Sequence, residues 1–353
     1  MNPMKLNTAI ICLSPYSGGM EIDSIKLAKK LSIFSNITII AKENYFIDNT
    51  KEEYLTNNIM LETIRFKYSF SPSIIFYVRK IMKRKNIQNV IFFGASELKS
   101  LYFSFLGLNI NLIVRHGTTK TRPKKDLFHK LIYSKVNYHV SICKHLLKNV
   151  RYIIPFGIKT QEKLIYSSIQ ISSKLEQQNH DLILLHVGRI AKGKGQIDAI
   201  KACSILHKNN IDFKLYIVGG FNEDYKQEFN NIYNNLDYKE NIILTGYTKK
   251  PELYYEKSTI FLFPSYGEGL SNAFLEALSY NLIPICYDNT SFSEFKELGF
   301  DFPMVENKNI QKLKITLLNT VNNINNYKQD NRELLKMHFS LEKEITDYLK
   351  ILQ

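Results

Sequence analysis

Along the 353 residues, short apolar runs alternate with longer segments whose apolar side chains recur at helical spacing. In the first half the runs are TAIICL, ITIIA, VIFFG, LIVRHG, YHVSIC and YIIPFG; in the second they are ILLHVG, KLYIVGG, IILTG, IFLFPS and IPICY. Most are unbroken Val, Ile, Leu and Phe instead of alternating, which is how strands buried on both faces read. Helix-length segments such as Met20–Phe34, Ile197–Asn209 and Asn272–Tyr280 lie between them. Such alternation predicts parallel sheets with right-handed crossovers, and its occurrence in both halves predicts an α/β chain of two Rossmann-like domains. The length agrees, since one core rarely serves so long a chain.

The polar stretch from Lys159 to His180 has no buried-strand signature and reads as the join. The expected domains are therefore residues 1–165 and 180–338. The tail from Phe339 is amphipathic, with Leu341, Ile345, Tyr348, Leu349 and Leu352 near one face, and is expected to dock back onto the first domain. The run NNINNYKQDN is of low complexity and reads as a solvated helix end or loop.

Composition changes this picture in two places. The cysteines (Cys12, Cys143, Cys203, Cys286) are scattered without a CxxC pair, which predicts a reduced, cytoplasmic protein with neither disulfides nor zinc. No apolar run approaches a membrane span, and TAIICL is too short for a signal-peptide core. The net charge of +14 is more telling once located: residues 1–165 carry +16 and the remainder −2. The first half is thus expected to face a polyanion. The segment SIIFYVRKIMKRK places Ile75, Phe76, Val78, Ile81 and Met82 beside Arg79, Lys80, Lys83, Arg84 and Lys85. Read as an amphipathic basic helix, it suits the inner face of an anionic cytoplasmic membrane. A second basic segment is RHGTTKTRPKKDLFHKLIYSK. No RNP, helix-turn-helix or zinc-finger pattern accompanies the charge, and the aromatics sit in strand runs, which disfavours nucleic acid as partner.

In open α/β sheets ligands bind beyond the carboxyl ends of strands, so the residues after each strand carry the candidate chemistry. After ILLHV comes GRIAKGKGQIDAI, where Gly188 allows a tight exit and Arg189 and Lys194 follow five residues apart. Gly193 and Gly195 bracket the lysine just before a helix, a combination suited to cradling a diphosphate. Neither GxxxxGK[ST] nor GxGxxG occurs. After IFLFP comes SYGEGLSNAFLEALSYNLIP, with seven residues between Glu268 and Glu276. Were both helical, they would lie ~12 Å apart along the axis and ~80° around it. Paired carboxylates for glycoside hydrolysis need about 5 to 9.5 Å. The two therefore suit hydroxyls on different parts of an elongated ligand. Ser271 or Asn272 can begin the helix, leaving N–H groups from Gly269 through Leu270 to Asn272 for an anion.

GRIAKGKG followed some 70 residues later by PSYGEGLSNAFLEALSYNLIP resembles the donor domain of retaining glycosyltransferases of family 4, which have the GT-B fold: two Rossmann-like domains with parallel sheets facing across a cleft. Gly219 in VGG, and Gly246 with Tyr247 in NIILTGY, match that family's two connecting strand ends. In the first half YSGGMEIDSIKLAKKL resembles its glycine-rich first loop, RHGTTK its histidine loop, and VSICKHL then IPFGI its last strands. Asn281 stands where the family commonly has glycine, and asparagine tolerates the left-handed turn.

The resemblance implies that Arg189 and Lys194 bind the departing nucleotide diphosphate, Glu268 the donor sugar and Glu276 the ribose. It implies that Gly18 and Gly19 let backbone approach the diphosphate, and that His116 lies on the sugar and acceptor side. It further implies a nucleotide-sugar donor, with a UDP-sugar the default, and a saccharide or glycolipid acceptor of the cell envelope such as lipopolysaccharide core. No D-x-D occurs, so a metal-held diphosphate has no evident ligands and no metal or other cofactor is expected; fixed cations and helix amides are to stabilise the leaving group. A nucleotide-sugar epimerase or a sugar phosphorylase on the same architecture stays open at this point.

Overall fold

The computed structural model describes residues 6–16, 18–172, 181–327 and 330–352. The chain divides into two compact units, Met1–Ser167 with Leu341–Gln353, and Ser168–Ser340.

In the first unit the strands are β1 (Leu6–Cys12), β2 (Ser35–Lys42), β3 (Ile59–Ile64), β4 (Asn89–Phe93), β5 (Asn111–His116), β6 (Tyr138–Ser141) and β7 (Gln161–Leu164). They form one parallel sheet in the order β3-β2-β1-β4-β5-β6-β7. Successive side chains of β1 serve opposite faces. Ala9 and Ile11 enter one buried cluster, while Ile10 and Cys12 enter the other. Two apolar faces require two apolar residues in every pair, which explains the unbroken runs. The C-terminal helix Leu341–Leu349 belongs to this unit. Tyr348, Ile351 and Leu352 are buried among Leu27, Leu31 and Ile37, and Lys30 Nζ lies 2.6 Å from Glu344 Oε2. Leu341, assigned to the docking face, is instead 45% exposed, one turn outside that contact.

In the second unit β8 (Ile183–Val187), β9 (Lys214–Val218), β10 (Ile242–Gly246), β11 (Ile260–Phe263), β12 (Ile283–Asp288) and β13 (Met304–Glu306) form a second parallel sheet. Its order is β10-β9-β8-β11-β12-β13. Both sheets therefore reverse direction beside their first strand, at β1/β4 and at β8/β11. These are the switch points where such sheets hold ligands.

Several expectations are corrected. YIIPFG is not a strand, because Tyr152 and Ile153 end the helix Lys144–Ile153. Leu146, Val150 and Ile153 give that helix its buried face, and Pro155 forces Ile154 into extended backbone (φ −112°, ψ 139°). The true next strand is β7, inside the stretch read as a join. It is an edge strand of sequence QEKL whose residues alternate between exposed and half-buried, so it carries no apolar run. The edge strands β3 and β13 also went unread. The helix expected over Ile197–Asn209 breaks at Cys203 into Gln196–Ala202 and Ser204–Lys208.

The largest correction concerns the basic helix, which spans Pro72–Arg84. Val78, Ile81 and Met82 are packed with Val90, Phe92 and Leu101 in the core, so the apolar stripe taken for a lipid face is the inward one. Phe76 and Tyr77 do remain exposed. Among the described residues no helix is long and apolar enough to cross a membrane.

Candidate functional site

The sequence places the loops after β8 and β11 some 70 residues apart, and the sheet makes these strands neighbours, pairing Ile260 with Leu184 and Phe261 with Leu185. His186, a lone polar residue in an apolar run, helps fasten them: buried, its Nδ1 donates to the Leu262 carbonyl at 2.9 Å. Burial pushes its pKa down to about 4, so the ring stays neutral with its proton on Nδ1 and leaves the unprotonated Nε2 without a partner in the core.

Beyond the strand ends the two loops lock together. Gly195 adopts φ +80°, and a Cβ there would lie 2.0 Å from the Pro264 carbonyl oxygen. Only glycine permits that approach. The Tyr266 N–H donates to the Gly193 carbonyl at 2.9 Å, and Tyr266 Oη donates to Asp198 Oδ2 at 3.1 Å. Asp198 also accepts from Tyr287 Oη at 2.7 Å, which ties the helix Gln196–Ala202 to β12. Gln196 Nε2 donates to the Arg189 carbonyl at 3.0 Å and so holds the first turn of the loop.

This lock sets the charged groups. Lys194 Nζ lies 2.8 Å from Glu268 Oε1 and 2.9 Å from Oε2, while Ser265 Oγ donates to Oε1 at 2.7 Å. The Glu268 side chain is 11% exposed and that of Lys194 34%, so the pair is half-screened from water. The Glu268 N–H donates to Thr290 Oγ1 at 2.9 Å, and Thr290 Oγ1 donates to Asn289 Oδ1 at 3.0 Å. Asn289 Nδ2 in turn reaches the Ser265 carbonyl at 2.8 Å. Thr290 makes these contacts from φ +45°, a strained conformation for a β-branched residue.

Glu268 is not helical, which corrects the geometric premise. The helix spans Asn272–Ser279, capped by Ser271, whose Oγ accepts from the Phe274 N–H at 3.3 Å. Glu268 sits in the loop before it and only Glu276 lies on it, in the middle turn. The carboxylates thus occupy different elements. Glu276 interacts with the buried Tyr255 hydroxyl, which also donates to the Ala273 carbonyl at 3.1 Å. Burial and then Glu276 raise that tyrosine far above its ordinary pKa, so it stays a donor. Gly269 is half-buried and Leu270 buried beside the cap.

Three of the other glycines line the strand ends. A Cβ on Gly219 would meet the Gly188 carbonyl oxygen at 2.1 Å, and the Gly219 N–H donates to the Gly246 carbonyl at 3.0 Å. Arg189 is exposed beside this ridge, as is Tyr247. Asn281 has φ +56° at the end of its helix, and its Oδ1 accepts from the Asn331 N–H at 3.2 Å.

Gly18, Gly19 and His116 belong to the first unit. Gly18 is extended (φ −169°) where the helix Gly19–Leu31 begins, and Gly19 opens to solvent. His116 is buried: Lys120 Nζ donates to its Nδ1 at 3.3 Å, which puts its proton on Nε2, 2.9 Å from His139 Nδ1. Burial and then Lys120 hold His116 well below its usual pKa. Burial and Lys124 bring Lys120 itself down to about 8. Sequence reading missed Lys120, whose only signal was its place four residues after His116.

Residues 167–331 match the family described as Glycosyl transferases group 1. A capsular polysaccharide biosynthesis glycosyltransferase of Staphylococcus aureus is 26% identical, covering 68% of this chain and 70% of its own. An N-acetylgalactosaminyltransferase of Campylobacter jejuni, named for a diphospho-undecaprenol-linked acceptor, is 24% identical over 78% of this chain and 79% of its own. The crystal structure of Anabaena HepE with UDP and glucose superposes with a TM-score of 0.82 at 12% identity, covering 98% of this chain and 99% of that one. That likeness fixes the fold as GT-B.

Proposed function

We propose that this chain, which carries a group 1 glycosyltransferase domain, transfers a sugar from a UDP-sugar to a saccharide or glycolipid of the cell envelope, without a metal and with retention of anomeric configuration. The observation that carries it is Lys194 held against Glu268 at the β8/β11 switch point, inside the matched segment. The acceptor class follows the printed names of the two relatives, and the base follows the ligand of the Anabaena structure.

In this reading the donor diphosphate lies over the Gly188–Gly195 loop and draws on Arg189 and Lys194. The leaving group gains negative charge as the glycosidic bond breaks, and cations already fixed there need no reorganisation. Glu268 then accepts from sugar hydroxyls and Glu276 from the ribose, each from its own element. The acceptor hydroxyl attacks from the leaving-group side, and its proton passes to the departing phosphate oxygen.

A thermal-shift panel of nucleotide sugars should single out a UDP-sugar, and turnover with that donor should require a membrane or saccharide extract. NMR of the product should show the donor's anomeric configuration. Donor conversion without acceptor would support an epimerase, and consumption only with inorganic phosphate or free nucleoside diphosphate would support a phosphorylase. Inverted product or a strict magnesium requirement would overturn the mechanism.

Thr290 tests the loop separately. Thr290→Val keeps the shape and the strained backbone but leaves the Glu268 N–H without its acceptor, at a cost of about 1–3 kcal/mol. Its kcat should fall about tenfold or more, whereas Thr290→Ser should stay within about threefold of the parent. Equal kinetics for both would show that the hydroxyl does not position Glu268.

A further inference from the structure

The charge in the first unit finds a different outlet from the helix that sequence reading favoured. The short helix Leu127–Tyr133 buries Ile132 and Tyr133 but leaves Leu127, Phe128 and Leu131 exposed by 83%, 48% and 49%. Leu127, Lys130, Leu131 and Ser134 fall at i, i+3, i+4 and i+7, a single stripe. Lys130 and Ser134 also line a groove of about 770 Å³ whose other walls include Lys125, Lys159, Pro155 and Phe156. Ile158, at its rim, is fully exposed.

The surrounding charge is one-sided. Besides Lys120, which is bound to the buried His116, the chain between Thr118 and Lys135 carries Arg122, Lys124, Lys125, Lys130 and Lys135 against Asp126 alone. Asp126 is occupied as the cap of this helix, accepting from the His129 N–H at 3.0 Å. Arg151, which also lines the groove, is bound to Glu162.

We propose that this face is a membrane-docking surface: the lysine-lined groove takes the phosphate headgroup of an anionic lipid, and Leu127, Leu131 and Ile158 enter the acyl boundary. Exposed aliphatic side chains ringed by cations match an anionic bilayer interface in both polarity and sign. A protein partner would need a complementary acidic rim and offers no reason for an apolar stripe to sit directly above a cationic groove. The helix Pro72–Arg84, whose apolar stripe is buried, has no such arrangement. The surface is independent of the transfer chemistry, so either reading can fail without the other.

The test is flotation of the full chain with vesicles of phosphatidylglycerol and phosphatidylcholine against vesicles of phosphatidylcholine alone. Binding should require the anionic lipid and weaken with salt. Each lysine at such a surface contributes about fivefold in partition. Lys125→Glu with Lys130→Glu should thus lower binding by more than about 25-fold, and Leu127→Ser with Leu131→Ser by at least about tenfold. Phe76→Ser, on the other helix, should change little. All these positions are exposed, and unchanged thermal unfolding would confirm intact folds. Failure to float with anionic vesicles, equal loss in Phe76→Ser, or a dimer that the Leu127→Ser/Leu131→Ser variant dissociates in light scattering would each overturn the proposal.

Discussion

Replacing Lys194 with alanine should lower turnover by about 10²–10³-fold, the usual effect of deleting one preorganised group that stabilises developing charge. The same substitution leaves Glu268, whose side chain is 11% exposed, with the Ser265 hydroxyl but without its cation. Two losses then coincide: the positive charge proposed to meet the diphosphate, and the cation that holds the Glu268 carboxylate. Residues that act as a unit are not additive. Lys194→Ala combined with Glu268→Gln should therefore be little worse than the poorer single variant. Arg189→Ala, exposed at the ridge, should cost turnover on its own and combine additively with Glu268→Gln. Steady-state transfer rates for the five variants decide this. Unchanged turnover in Lys194→Ala or Arg189→Ala would remove those residues from the mechanism.

Gly195→Ala should be the most damaging single methyl group in the second unit. Its Cβ would sit 2.0 Å from the Pro264 oxygen and 2.4 Å from the Pro264 carbon, both backbone atoms that no rotamer change can clear. Overpacking costs roughly 1–3 kcal/mol and the left-handed backbone roughly 1–2 more, about 2–5 kcal/mol together. For a unit of this size that lowers the melting temperature by roughly 4–20 °C. Gly193→Ala supplies the control. It shares a positive φ (+85°) but would meet nothing within 4 Å, so only the backbone term of about 1–2 kcal/mol applies. Thermal unfolding that ranks the two equally would show that the lock between the loops is not tight.

These two experiments probe features legible to very different degrees. GRIAKGKG and SYGEGLSNAFLEAL stood out because their residues are unusual for their place: cations between glycines, and carboxylates just after apolar runs. Strands β1, β2, β4, β5 and β6, and β8 to β12, were readable because both faces of each sheet are covered, so burial wrote itself into unbroken apolar runs. Strands β3, β7 and β13 were not, since exposed positions interrupt β3 and β7 and β13 is only three residues long. Helix periodicity shows that a stripe is apolar without showing what covers it. Hence Val78, Ile81 and Met82 read as a lipid face although they pack inward, while Leu127 and Leu131, on a helix of seven residues, gave too short a pattern to notice.

By itself the sequence determined the α/β class, the two parallel sheets and the glycine-bracketed cations after β8. All of these rest on local demands, the burial of a strand or the backbone freedom of a turn, which neighbouring residues must satisfy on the spot. Only the tertiary structure decided that β8 lies against β11, that Lys194 therefore meets Glu268 across 74 positions, and that Thr290 and Asn289 arrive from β12 to hold the loop. Strand order is set by how whole helices and strands pack, an energy summed over distant residues. No short stretch of sequence carries it.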